Sequence, residues 1–304
     1  MRKVGLTTIA ALVVAIVAVS ASAPLIAFAV APALAIAFWR NMLGAAALAP
    51  AALLRRTAPT RADLRITVLA GVCLAVHFGT WVPSAKLTSV AMSVALVSTT
   101  PVWTALVAAA RGVRVPGSTW AGIGIAVAGV ALATGADPDL SGRALLGDGL
   151  ALAGGVAAAG YTLLGERARV GLPTTVYASV CYSVCAALLL VACFASGAGL
   201  WRYTWETWIA IAGMTVGPQL LGHTLINYSL HRVSATTVAV LLLLEVPGAL
   251  IIAWLLLGQL PAVRTLPGIA ILLAGVAVVV LGGRRRAQPT NGGTIISPEA
   301  IGTT

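Results

Sequence analysis

Ten long apolar runs, separated by short stretches that hold almost all of the charge, constrain this chain more than any motif in it. A helix rises about 1.5 Å per residue, so about 20 apolar residues cross the hydrocarbon of a bilayer. The runs fall at roughly residues 7–28, 32–54, 66–84, 87–110, 118–136, 145–165, 172–197, 207–230, 234–257 and 263–282. Only 9% of the 304 residues are charged and 60% are hydrophobic, whereas a soluble domain is about 25% charged. So little charge cannot cover a water-facing surface. In lipid, each backbone N–H and C=O must be satisfied within the protein, and runs of this length do so as helices. The expected fold class is all-α: a polytopic membrane protein of ten transmembrane helices.

The charges then orient the chain. With the N-terminus placed in the cytoplasm, 14 of the 19 basic residues fall on the cytoplasmic side: Arg2, Lys3, Arg55, Arg56, Arg61, Arg65, Arg111, Arg114, Arg167, Arg169, Arg232, Arg284, Arg285 and Arg286. Lys86, Arg143, Arg202 and Arg264 fall outside, and Arg40 lies within a span. This is the positive-inside bias, with both termini cytoplasmic and the cytoplasmic (plasma) membrane as location. A signal-peptide reading of Arg2-Lys3, the first run and Ala21-Ser22-Ala23 is available, but the bias works best with that span retained. The net charge of +11 is spread between spans without interleaved aromatics, so no nucleic-acid partner is expected. Asp137, Asp139 and Asp148 cluster in one outer loop. Trp39, Trp81, Trp201, Trp205, Trp208 and Trp254 fall near the outer interface and Trp120 near the inner one, where tryptophan anchors membrane helices. Cys73, Cys181, Cys185 and Cys193 lie in apolar runs and read as packing residues; no metal set is expected from them.

A shift of 146 residues aligns the two halves without a gap from residue 71 to 277. It superposes Gly71 on Gly217, His77 on His223, Pro101 on Pro247, Gly112 on Gly258, and Gly122-Ile123 on Gly268-Ile269. Each half holds five spans, an odd number, so the second half enters the membrane upside down. The expectation is two inverted five-helix repeats, residues 1–140 and 141–286, followed by a disordered cytoplasmic tail over 287–304.

With that repeat the sequence resembles the drug/metabolite transporter superfamily, in its ten-span form with two EamA-type repeats. The residues that carry the resemblance are Phe38-Trp39-Arg40-Asn41, His77-Phe78-Gly79-Thr80-Trp81, Thr88-Ser89-Val90-Ala91, Thr99-Thr100-Pro101, Gly222-His223-Thr224-Leu225-Ile226-Asn227, Leu244-Glu245-Val246-Pro247 and Trp254-Leu255-Leu256-Leu257-Gly258, with Gly268 and Gly275 after them. Where the family often has Glu after the Gly that ends the fourth and ninth spans, this chain has Val113 and Gln259. The resemblance implies a ten-helix bundle around a central cavity and the movement of small metabolites, export being favoured.

Polar groups at membrane depth are costly and mark candidate sites. Arg40, about eight residues into its span, could bind a carboxylate or phosphate through its guanidinium fork, or pair with Glu245 or helix-end carbonyls. Glu245 sits mid-span, two residues before Pro247, and could carry a proton, contact a substrate amine, or fix the helix. His77 and His223 are a repeat pair able to relay protons. Gln219, His223 and Asn227 recur every four residues, as do His77 and Trp81, so each set should share a helix face; a cavity is the expected destination. Ser20 and Ser22, ahead of Pro24, suggest a loosened first helix whose free carbonyls line the path, and Tyr161 is a further lining candidate. Pro101 and Pro247 read as hinges that kink two helices at matching depths. Gly122/Ala126, Gly124/Ala128 and Ala270/Ala274 could bring helices together within the bundle or across a homodimer.

No phosphate-binding Gly-x-x-x-x-Gly-Lys loop, His-Glu-x-x-His motif or Gly-x-Ser-x-Gly elbow is present, so no cofactor is expected. The reading is a secondary transporter of small amino-acid-like or drug-like solutes, with proton coupling through Glu245 or the histidines. An intramembrane enzyme using Arg40, His77, His223 and Glu245, or a scaffold that moves nothing, are the alternatives.

Overall fold

The computed structural model describes residues 5–55, 59–88, 90–134, 141–258, 263 and 266–285. Their regular structure is helix, arranged as ten spans: α1 (Leu6–Phe28), α2 (Ala33–Leu53), α3 (Arg61–Leu87), α4 (Val90–Val97 and Thr100–Ala110), α5 (Gly117–Thr134), α6 (Gly142–Ala168), α7 (Thr174–Ser196), α8 (Trp205–Ser229), α9 (Ala235–Leu242 and Glu245–Leu257) and α10 (Leu266–Arg285). Eight are long and apolar enough to cross a membrane, and α5 and α10 supply shorter apolar stretches, Gly117–Leu132 and Leu266–Leu281. The tail 287–304, together with Arg2, Lys3, Arg56, Ser89, Asp137, Asp139, Gln259, Arg264 and Arg286, lies outside the described residues. Outward faces carry exposed Val13, Val17, Leu69, Val191, Phe194 and Leu255, a surface suited to lipid. The chain is a polytopic helical membrane protein.

Helix starts are written locally. Thr60 and Asp63 form a capping box at α3, with Thr60 Oγ1 accepting from the Asp63 N–H and the Asp63 carboxylate accepting from the Thr60 N–H, both at 3.1 Å. Ser141, Thr204 and Ser234 cap α6, α8 and α9.

Helix breaks follow from prolines. A proline cannot donate to the carbonyl four residues back. Pro101 thereby frees Val97 O, and α4 breaks there; the Thr100 hydroxyl takes up that carbonyl at 2.7 Å. Pro247 frees Leu243 O, which accepts instead from Val246 N at 3.1 Å, and α9 breaks between Leu242 and Glu245. The two breaks are 146 residues apart in register. Pro218 acts differently: α8 widens into a π segment over Thr215–His223, one way a helix absorbs a missing donor. α1 breaks at Ala21, three residues before Pro24.

The packing repeats the internal symmetry. α3 lies along α6, as its mate α8 lies along α1. α2 packs on its own mate α7, and α5 on its own mate α10. The α5–α10 contact is close enough to need glycine. A Cβ on Gly122 would strike Gly275 O at 2.7 Å, and one on Gly129 would meet Gly268 O at 2.8 Å and the Leu272 backbone closer still. Because the shift carries Gly122 to Gly268 and Gly129 to Gly275, these two contacts exchange under the internal two-fold. The paired C-caps Gly112 and Gly258 both sit at positive φ, +77° and +66°, a left-handed conformation that side chains disfavour. Of the small-residue pairs, Gly122/Ala126 packs inside the bundle. Gly124/Ala128 and Ala270/Ala274 face outward.

Gly129→Leu should destabilise the fold by about 1–3 kcal/mol through overpacking, whereas Gly124→Leu, which meets nothing within 4 Å, should not. Thermal unfolding of the two variants in detergent checks the difference; equal melting temperatures would place the α5–α10 contact elsewhere.

Candidate functional site

A partly open cavity, with room of about 100 Å³ for the centres of water-sized molecules, lies among six helices. Three come from the first half (α1, α3, α4) and three are their mates from the second (α6, α8, α9). Seven of the residues singled out in the sequence line it: Ser22, His77, Trp81, Pro101, Tyr161, His223 and Glu245. The repeat pair meets there, with the His77 and His223 rings 6.4 Å apart between centroids. His77 stacks on Trp81 at 5.6 Å, and His223 packs against Phe78 at 5.2 Å and Tyr161 at 6.0 Å. His77 Nδ1 bonds Gly154 O at 3.0 Å. A carbonyl only accepts, so Nδ1 carries the proton and Nε2 keeps its lone pair while the ring is neutral.

Trp81 departs from the interfacial role expected of it. It is 4% exposed. α3 runs on to Leu87, which places Trp81 about 9 Å below the helix end at about 1.5 Å per residue. Trp39 instead gathers an aromatic cluster at a helix end, meeting Trp201 and Trp208 at 4.8 and 5.2 Å and donating from its Nε1 to Leu200 O at 2.9 Å.

Arg40 does not line the cavity. It is fully buried behind it. Its Nε donates to Gln219 Oε1 at 3.0 Å, its Nη1 donates to Ser22 Oγ at 2.9 Å, and its guanidinium lies 4.3 Å over the Phe78 ring. Gln219 Nε2 then donates to Asn41 Oδ1 at 3.0 Å, and Asn41 Nδ2 to Ala37 O at 2.9 Å. Arg40 and Glu245 are within electrostatic reach of each other without forming a contact ion pair. The stripe Gln219, His223, Asn227 is divided: Gln219 turns to α2, His223 to the cavity, and Asn227 to α6, where its Nδ2 donates to Tyr161 Oη at 2.6 Å. The three share a helix side yet lie at successive depths, where a different neighbour stands opposite each. Pro247 sits beside the α9 break, outside the lining.

Several polar residues here escaped the sequence reading. Tyr182 donates to Gln219 O at 3.2 Å, and its hydroxyl is 3.1 Å from Thr224 Oγ1. Ser98, Thr100 and Thr162 line the cavity. In apolar helices a lone Ser or Thr hydroxyl bonds its own backbone so often that it signals nothing; only Thr100, next to Pro101, had a marker. Cys181, Cys185 and Cys193 are buried, as packing residues should be.

The chain matches the model of the EamA-like transporter family twice, over residues 5–135 and 145–281. No curated protein matches it. A solved crystal structure, described only as "Crystal structure of protein", aligns with a TM-score of 0.76 over 93% of this chain and 99% of its own, at 20% identity; that likeness shows the fold. The two matches divide the chain between α5 and α6, where the inverted halves meet, and on them the chain belongs to the EamA-like transporter family: a multi-pass membrane transporter of the drug/metabolite type with the family's repeat present twice.

Proposed function

We propose that this chain exports small organic metabolites across the cytoplasmic membrane by alternating access, with both termini in the cytoplasm. One observation carries the reading. The cavity is bounded by three helices and by the inverted mates of the same three. Two like halves of opposite orientation around one cavity have two states of similar energy, one open to each side. The matched breaks beside Pro101 and Pro247 leave α4 and α9 able to bend at the cavity wall while the α5–α10 pair holds. Residues 1–140 and 141–286 are then the rocking units. The chain shows no nucleotide loop, so the driving force is a gradient, and the titratable groups facing the cavity, Glu245, His77 and His223, make protons the coupling ion.

In proteoliposomes, Glu245→Gln and His223→Ala should abolish the pH dependence of solute counterflow. Counterflow with the unaltered pH profile in both variants would remove proton coupling. The sealed Arg40 network gives a separate expectation. Gln219→Leu leaves Arg40 Nε and Asn41 Oδ1 without their partners, and each buried orphan costs about 1–3 kcal/mol. The melting temperature should fall while solute affinity in the surviving folded protein stays within about twofold, as measured by equilibrium binding; a selective loss of affinity would instead place Gln219 on the solute.

A further inference from the structure

We infer that the solute is an organic monocation, an amine with an apolar or aromatic body, and that Glu245 receives its ammonium group. This rests on the transport reading of the same cavity and gives it a substrate class.

The charge pattern is the first reason. Glu245 is the one acidic side chain lining the cavity, and no Lys or Arg lines it among the described residues. Arg40 is the base that could have met a carboxylate, and it is fully buried outside the lining, its Nε on Gln219, its Nη1 on Ser22 and its guanidinium over Phe78. Glu245 stands at the first turn of the second α9 half-helix, half-buried, with its carboxylate making no hydrogen bond or contact ion pair to a described residue. A carboxylate in that position is open to a cation from the cavity side. A carboxylate solute would instead face Glu245 with no base on the wall, Arg40 standing outside the lining with its Nη1 on Ser22, and like-charge juxtaposition is a strong rejection device.

The hydrogen-bonding pattern is the second reason. The Thr100 hydroxyl spends its proton on backbone carbonyls, Val97 O at 2.7 Å and Gly155 O at 3.2 Å, and Thr162 spends its own on Ala158 O at 2.7 Å. What these oxygens can still offer is lone pairs. His77, its Nδ1 proton fixed on Gly154 O, has only the Nε2 lone pair left. Thr100, Thr162 and His77 thus present acceptors, the complement of an N–H donor bearing positive charge, while the Trp81 Nε1–H and the Tyr161 hydroxyl are the donors on the same wall. Trp81 and Tyr161 line the same space, aromatic rings of the kind that attract cations and pack against apolar bodies.

The test uses the full chain purified in detergent, a panel of benzylamine, 2-phenylethylamine and tyramine, and the carboxylates of matching shape, phenylacetate, 3-phenylpropionate and 4-hydroxyphenylpropionate. Binding is read by thermal shift and titration calorimetry. At least one amine should bind about tenfold or more tightly than its carboxylate counterpart, and Glu245→Gln should cancel that preference. If no amine outbinds its counterpart in the unaltered protein, the inference fails, and this readout needs no variant to fold. It also fails if Glu245→Gln, shown folded by its melting transition, keeps the preference. Counterflow of the same compounds in proteoliposomes separates the two readings. Glu245-dependent amine binding without amine counterflow upholds the solute class and removes transport; counterflow of carboxylates alone upholds transport and removes the solute class.

Discussion

Inside a bilayer a polar group has no water to turn to, and that constraint governs this molecule more than any single contact. Two sets of polar side chains at membrane depth answer it in different ways, one by protein partners and one by facing the cavity. Arg40, Asn41 and Gln219 form a buried chain between α2 and α8 that ends on Ala37 O at one end and on the Ser22 hydroxyl at the other. His77, His223 and Glu245 face the shared space. The first set joins the two halves of the sequence across their interface; the second is where a solute can be met.

The architecture was legible in the sequence because lipid simplifies the code. Length and hydropathy alone set the ten spans, and the 146-residue shift exposed the inverted repeat before any coordinate. The same shift predicts contacts that only the structure displays: Gly122 with Gly275 and Gly129 with Gly268 are one contact seen twice. The pairing of His77 with His223 is of the same kind. Residues in register at corresponding depths of inverted halves are brought together when they lie close to the axis that relates them.

What was not legible depended on local backbone geometry and on side-chain direction. The spacing of Gln219, His223 and Asn227 promised one environment, and the three side chains meet three: α2, the cavity and α6. Nothing in the sequence distinguishes Pro218, which widens its helix, from Pro101, which breaks one. Arg40 had the charge and depth of a ligand-binding residue, yet Ser22 and Gln219, 18 and 179 residues away, take up two of its nitrogens. Partners that distant in the chain are set by tertiary packing and have no periodic signature. Trp81 illustrates the same limit at a helix end: a few more residues of α3 moved it from the interface into the cavity wall.

The central claim is that the two inverted halves close on one space, with equivalent residues meeting at its centre. Cross-linking of the double variant His77→Cys/His223→Cys with a bifunctional thiol reagent about 10 Å long tests it most directly, in a chain whose Cys73, Cys181, Cys185 and Cys193 are replaced by Ala; a direct disulfide would demand closer backbones than two rings 6.4 Å apart imply. The account predicts rapid bridging of 77 to 223 in native membranes, read by intact mass, with none in a Val76→Cys/Val216→Cys control, whose positions lie on exposed faces. No bridge between 77 and 223 in folded protein, or one no faster than in the control, would contradict it.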